Sequence, residues 1–145
     1  MLSLKSNPDG IEIKGSIRQV TLSSATISLG NSKITEPGEY EADGVEVIYS
    51  EQAALIVWER LQLVYVFGGK APTSIERSQF SPCDVLIATK AFEGMEKAVF
   101  NELLEVYDPR IVLSQADESS AEAIDVFKIS TQSLPEEGRV FIALK

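Results

Sequence analysis

The sequence predicts a mixed α/β fold, a mixed sheet or a pair of sheets with helices mainly on one side, in a single domain over residues 1–145. Three observations predict it. Residues 11–67 hold short segments that alternate apolar and polar, with no helical period. Two runs there, 53–58 and 61–67, are apolar on almost every residue. After Gly69 the texture changes to strand and helix in alternation.

The elements follow in order. Ile11 and Ile13 alternate with Glu12 and Lys14, Val20 and Leu22 with Thr21 and Ser23, and Ile27 and Leu29 with Thr26 and Ser28. Period-2 alternation puts one face in the core and one in water. Gly15, Ser23–Ser24, Gly30–Asn31 and Pro37–Gly38 supply turns. Asp43–Gly44 reads as a tight hairpin connection into 45–49. The apolar runs 53–58 and 61–67 read as central strands covered on both faces, joined by a turn at Glu59–Arg60.

Thr73-Ser-Ile-Glu76 fits a capping box, so a helix starts there. Residues 84–89 read as a buried strand. The clearest helix is 95–107, with Met95, Val99, Phe100, Leu103, Leu104 and Tyr107 on one stripe and Asp108–Pro109 as its stop. A strand follows at 110–113, and strand–helix–strand implies a parallel crossover. Ser119-Ser-Ala-Glu122 reads as a second capping box opening a short helix, and 127–129 and 140–144 as two last strands around a turn at 135–138.

Composition narrows the chemistry. The chain has no histidine, which removes the commonest general base and the commonest metal ligand. Its single cysteine excludes an internal disulfide framework. Thirteen basic against 22 acidic residues give a net charge of −9, which argues against binding nucleic acid or an anionic membrane. No apolar run approaches the roughly 20 residues that span a bilayer, and residues 1–10 lack the apolar core of a signal peptide, so a cytoplasmic protein is expected.

Ile34-Thr-Glu-Pro-Gly-Glu-Tyr-Glu41 followed by Asp43-Gly-Val-Glu-Val47 resembles a stretch of the metallo-β-lactamase-like hydrolases, most of all their lactonase-type small-hydrolase branch. Residues 54–59 and 63–68 resemble the family's paired strands before a glycine–aspartate metal turn, 83–88 its next strand, and 108–112 the strand that ends at a histidine. The resemblance implies a metallo-β-lactamase-like β-sandwich, truncated relative to the family. It also implies where a metal site would stand, and this sequence departs at each place. The histidine-rich cluster is missing, the position of the bridging aspartate after Gly68 is Gly69, and the position of a histidine ligand falls in the stretch that begins with Ser114 and Gln115. Zinc prefers imidazole or thiolate, so no metal and no cofactor is expected.

For other candidate residues a structural role competes with a chemical one. Glu39 and Glu41, with Glu36, surround a turn as acid–base candidates, though an exposed strand also carries charge for solubility. Asp43, Asp84 and Asp117 lack the spacing of a cation loop, and Asp117 and Glu118 suit a helix N-terminus. Cys83 has Asp84 and no base beside it, which fits a buried structural thiol. Gly68-Gly69-Lys70 faintly resembles a phosphate-cradling turn without the required spacing. The expected function is therefore a non-catalytic, metal-free binding or assembly module, with a metal-independent hydrolase or lactonase as the rival. Because residues 1–72 carry no amphipathic helix, one sheet should lack a helical layer, and the doubly apolar strands then point to a homodimer or another protein partner as cover.

Overall fold

Alternation becomes strand pairing from the first residues onward in the computed structural model, which describes residues 1–8, 10–16, 18–88, 95–115 and 123–145. The first sheet is antiparallel. It contains β1 (Leu2–Asn7), β2 (Gly10–Lys14), β3 (Gln19–Ser23), β4 (Thr26–Leu29), β5 (Ser32–Ile34) and, at its far edge beside β1, β12 (Val126–Ile129). The second sheet runs in the order β13 (Val140–Leu144), β11 (Ile111–Gln115), β10 (Val85–Ala88), β9 (Leu61–Val66), β8 (Ala53–Trp58), β7 (Val45–Tyr49), β6 (Gly38–Ala42). Pairing is antiparallel from β6 to β9 and parallel from β9 through β13. Two short α-helices, α1 (Ser74–Gln79) and α2 (Lys97–Tyr107), and a 3-10 turn at Thr131–Ser133 complete the described elements.

The α/β expectation and the metallo-β-lactamase-like architecture drawn from the resemblance are both corrected. Strands make up 49% of the described residues, thirteen of them in two sheets, and the fold is a β-sandwich. Strand–helix alternation in the second half yields two parallel crossovers among the described residues, β9–α1–β10 and β10–α2–β11, and their parallel strands merely extend an antiparallel meander. The expected helix at 119–122 lies outside the described residues.

The core between the sheets is built from the alternation itself. Leu2, Leu4, Ile11, Ile13, Val20, Leu22 and Ile27 face Val47, Ile56, Leu63, Tyr65, Val85, Ile87 and Leu113, all buried. The opposite faces of β8, β9 and β10 form a second core, where Leu55, Val64, Val66 and Leu86 pack with Phe80, Leu103 and Tyr107 of the helical layer. Both apolar runs are thus covered on both faces by their own chain, and the ground for expecting a dimer there is gone. The outer face of the first sheet, with Ser3, Lys5, Glu12, Lys14, Thr21, Ser28 and Lys33, is half-buried or exposed and polar. Of the residues expected in the core, Trp58, Val64, Val66, Leu86, Ile87, Leu103 and Ile111 are buried, while Phe100 and Leu104 on α2 are only half-buried.

Turn chemistry is local and legible. Asp43 and Gly44 have φ of 47° and 84°, and Glu59 and Arg60 of 48° and 65°, so both hairpins close on two residues with positive φ, the hand that suits strand twist. The hydroxyls of Tyr49 and Tyr65 cross the sandwich to donate to the carbonyls of Ala25 and Ser24, pinning the β3–β4 turn to the second sheet. At Gly10 a Cβ would stand 1.8 Å from the Leu22 carbonyl oxygen, so the β2–β3 approach needs glycine. On one side Ile124 bridges to Leu144 of β13 just before the chain enters β12, joining the two sheets. On the other side β5 and β6 are edges.

Candidate functional site

The carboxyl ends of β9 and β11 hold Gly68, Gly69, Ser114 and Gln115, the places where the resemblance would put metal ligands. The side chain of Gln115 has another task. Its Nε2 donates to Ser6 Oγ at 2.8 Å and to the Gly10 carbonyl at 2.7 Å, tying the parallel part of the second sheet to β1 and the start of β2. Gly68 sits close against Gln52: a Cβ there would lie 2.9 Å from the Gln52 Cα and would displace the Gln52 side-chain amide. Oε1 of Gln52 accepts from the Lys70 N–H at 3.2 Å, and the Gln52 carbonyl accepts from the N–H groups of Phe67 and Gly68. A glutamine thus fills the space that a ligand at this turn would use. Lys70 itself is exposed.

Glu76 was legible in sequence only as the partner in a capping box, and the box is present: Thr73 Oγ1 accepts from the Glu76 N–H, and Glu76 Oε1 from the Thr73 N–H at 3.0 Å. Its second role was not legible. The side chain is fully buried, and Oε2 accepts from the Gln52 N–H at 3.0 Å, so one carboxylate anchors α1 to the turn between β7 and β8. Tyr107 lies against it. Its hydroxyl is buried beside that carboxylate and falls short of strict hydrogen-bond geometry among the described residues. Burial first, and then the charge of Glu76, push the phenol's pKa up.

Cys83 stands at the base of a cleft of about 520 Å³ at the amino ends of β10, β11 and β13. Burial, and then the neighbouring Asp84 and Asp108, push its thiol far above the ordinary value of 9.0, the opposite of what a nucleophile needs. Two charged residues of the cleft serve the backbone. Asp84 Oδ2 accepts from the Gln62 N–H at 2.8 Å. Arg139, which sequence reasoning passed over, donates to the carbonyls of Pro109 at 2.8 Å and Leu104 at 3.2 Å and to Asp108 Oδ1 at 3.2 Å. It closes the C-terminus of α2, where the last carbonyls lack helical partners and Asp108 turns left-handed.

Glu39 and Glu41 are brought together with Glu46 on the outer face of the β6–β7 hairpin, Glu41 directly opposite Glu46. All are exposed. Glu36 is exposed just before β6, and Asp43 pairs with Arg18. Asp117 lies outside the described residues. No group of three or more Cys, Asp or Glu among the described residues is placed to hold a metal ion, and no helix among them is long and apolar enough to cross a membrane. No protein-family model, no curated protein and no solved structure matches the chain.

Proposed function

We propose that this chain is a non-catalytic, metal-free module that binds another protein. One observation carries the reading: the polar side chains at the strand ends are spent on the chain's own backbone. Gln115, Gln52, Glu76, Asp84 and Arg139 each bond main-chain groups of their own chain. Catalysis needs a base, acid or nucleophile free to meet substrate. Cys83 is buried and held protonated, and histidine is absent from the chain. A cytoplasmic setting suits a protein with one buried thiol.

The rival is a metal-independent hydrolase or lactonase with rebuilt chemistry. It would need carboxylates held at a fixed separation in a water-excluding site, and Glu39 and Glu41 lie open on an edge strand instead. The purified protein should carry far less than one equivalent of zinc, manganese or iron by elemental analysis. It should turn over no ester, lactone or phosphodiester probe above the buffer rate. Stoichiometric metal, or turnover that co-purifies with the chain and fails in a Glu39→Gln/Glu41→Gln variant, would overturn the reading.

A further inference from the structure

We infer that the free edge of β6 receives an extended basic segment of a partner protein, whose residues alternate between lysine or arginine and an apolar side chain. This rests on the binding-module reading above and names the surface and the partner chemistry. The edge itself comes first. β6 ends the second sheet, and Gly38 to Glu41 are exposed. In a two-residue hairpin the pair flanking the turn exchanges both ladder bonds, and bonded pairs then alternate. Ala42, Tyr40 and Gly38 therefore bond to Val45, Val47 and Tyr49. The N–H and C=O groups of Glu39 and Glu41 point away from the sheet, as an unfilled template for one more strand.

Charge decides what fits. From Ile34 to Glu59 the sequence holds seven acidic residues and no lysine or arginine. Asp43 is paired with Arg18 and Glu59 with the chain's own amino group. Glu39, Glu41, Glu46 and Glu51 make no ion pair among the described residues. A second copy added antiparallel at this edge would set Glu39 and Glu41 against their equivalents, and like charges across a ladder are destabilising. The edge therefore rejects its own kind and suits a cationic strand.

Shape adds the alternation. Side chains of an added strand that stand beside Glu39 and Glu41 share the outer face with Glu46 and Ile48. There a groove of about 490 Å³ runs between β6–β7 and α1, with Ile48 and the 54% exposed Ile75 as its apolar surface. Lysine and arginine match such a place, since their stems cover apolar surface while their heads meet the carboxylates. The intervening residues fall on the inner face beside Tyr40, itself 37% exposed, and there an apolar side chain gains cover.

The test uses the full chain and a labelled decapeptide that alternates lysine and valine, with fluorescence anisotropy as the readout. The peptide should bind, more weakly as salt rises, and shift the backbone NMR signals of residues 38–42. In antiparallel addition the lysines face Glu39 and Glu41, so their N–H groups make the ladder. N-methylating the lysine amides should cost about tenfold or more in Kd, ~1.4 kcal/mol, and N-methylating the valine amides should leave binding nearly unchanged. Glu39→Lys/Glu41→Lys should lose the peptide and gain one that alternates glutamate and valine. Absence of binding at low salt, equal binding of the lysine-methylated peptide, or binding retained by the charge-reversed variant would each overturn the inference. Should the variant fail to fold, the methylated pair decides alone, because it leaves the protein untouched. Failure here in a protein that is metal-free and inert overturns the edge alone. Metal or turnover overturns the module reading whatever the peptide does.

Discussion

Replacing Glu76 tests whether a single buried carboxylate holds the helical layer to the sheet. Its two oxygens accept from the N–H groups of Gln52 and Thr73, each at 3.0 Å, and the side chain has no exposure. Each buried donor left without an acceptor costs about 1–3 kcal/mol. Glu76→Ala orphans both and should lose about 2–5 kcal/mol, which is a fall of roughly 8–20 °C in Tm at about 4 °C per kcal/mol for a domain of this size. Glu76→Gln keeps the volume but offers one oxygen and one NH₂, so one N–H keeps an acceptor while the other faces a donor. It should lose about 1–3 kcal/mol. Tyr107→Phe is the companion variant: its hydroxyl lies beside Glu76 without meeting hydrogen-bond geometry among the described residues, so its removal leaves both backbone donors satisfied and should cost less than about 1 kcal/mol. Urea denaturation with unchanged m-values gives the energies, and hydrogen exchange at the Gln52 and Thr73 amides should accelerate in both Glu76 variants. If Glu76→Gln falls within about 0.5 kcal/mol of wild type, the level of an ordinary surface change, the anchoring role is wrong.

Three further outcomes follow from the same geometry. Gln115→Leu should cost about 1–3 kcal/mol in urea denaturation, because the Gly10 carbonyl and Ser6 hydroxyl lose their donor, and a change below about 0.5 kcal/mol would show that the tie between sheets carries nothing. Leu103→Ala, at the centre of the second core with 1% exposure, should cost about 2–5 kcal/mol, and a loss under about 1 kcal/mol would mean the site collapses without a cavity. Stability should fall at alkaline pH. Burial raises the folded-state pKa of Cys83, Tyr107 and Tyr49, so above the unfolded values the unfolded chain releases protons that the folded chain keeps. Their contribution is full at neutral pH and fades as pH climbs past about 9, by ~1.4 kcal/mol per pH unit for Cys83 and then for Tyr107. Cys83→Ala should delay that fall toward the tyrosine range near pH 10, and an unchanged profile would refute the thiol's part in it.

The sequence by itself determined what is short in range. The left-handed turn at Asp43–Gly44 follows from residue types that accept positive φ, whereas at Glu59–Arg60 the residue types do not announce it and the two-residue connection between paired apolar runs imposes it. The capping box at Thr73 and Glu76 and the helix stop at Asp108 depend on neighbours within four residues. The two-sided burial of β8 and β9 follows from unbroken apolar runs. Tertiary structure decided the rest. Leu2 and Leu4 alternate too briefly to announce β1, which is a strand because β2 and the distant β12 pair with both its edges. The class of the fold turned on which sheet each strand joined, and pairing at long separation is invisible to a period of two. Gln115 became a structural tie to Ser6, 109 residues away, and Glu76 a buried anchor for Gln52, because closing the sandwich brought backbone donors and acceptors to them. The acidic run from Glu36 to Glu51 was readable as charge alone. Only the end of the sheet at β6 turned two of its members into an open row of hydrogen-bonding groups, since the same residues in a central strand would have spent those groups on a neighbour.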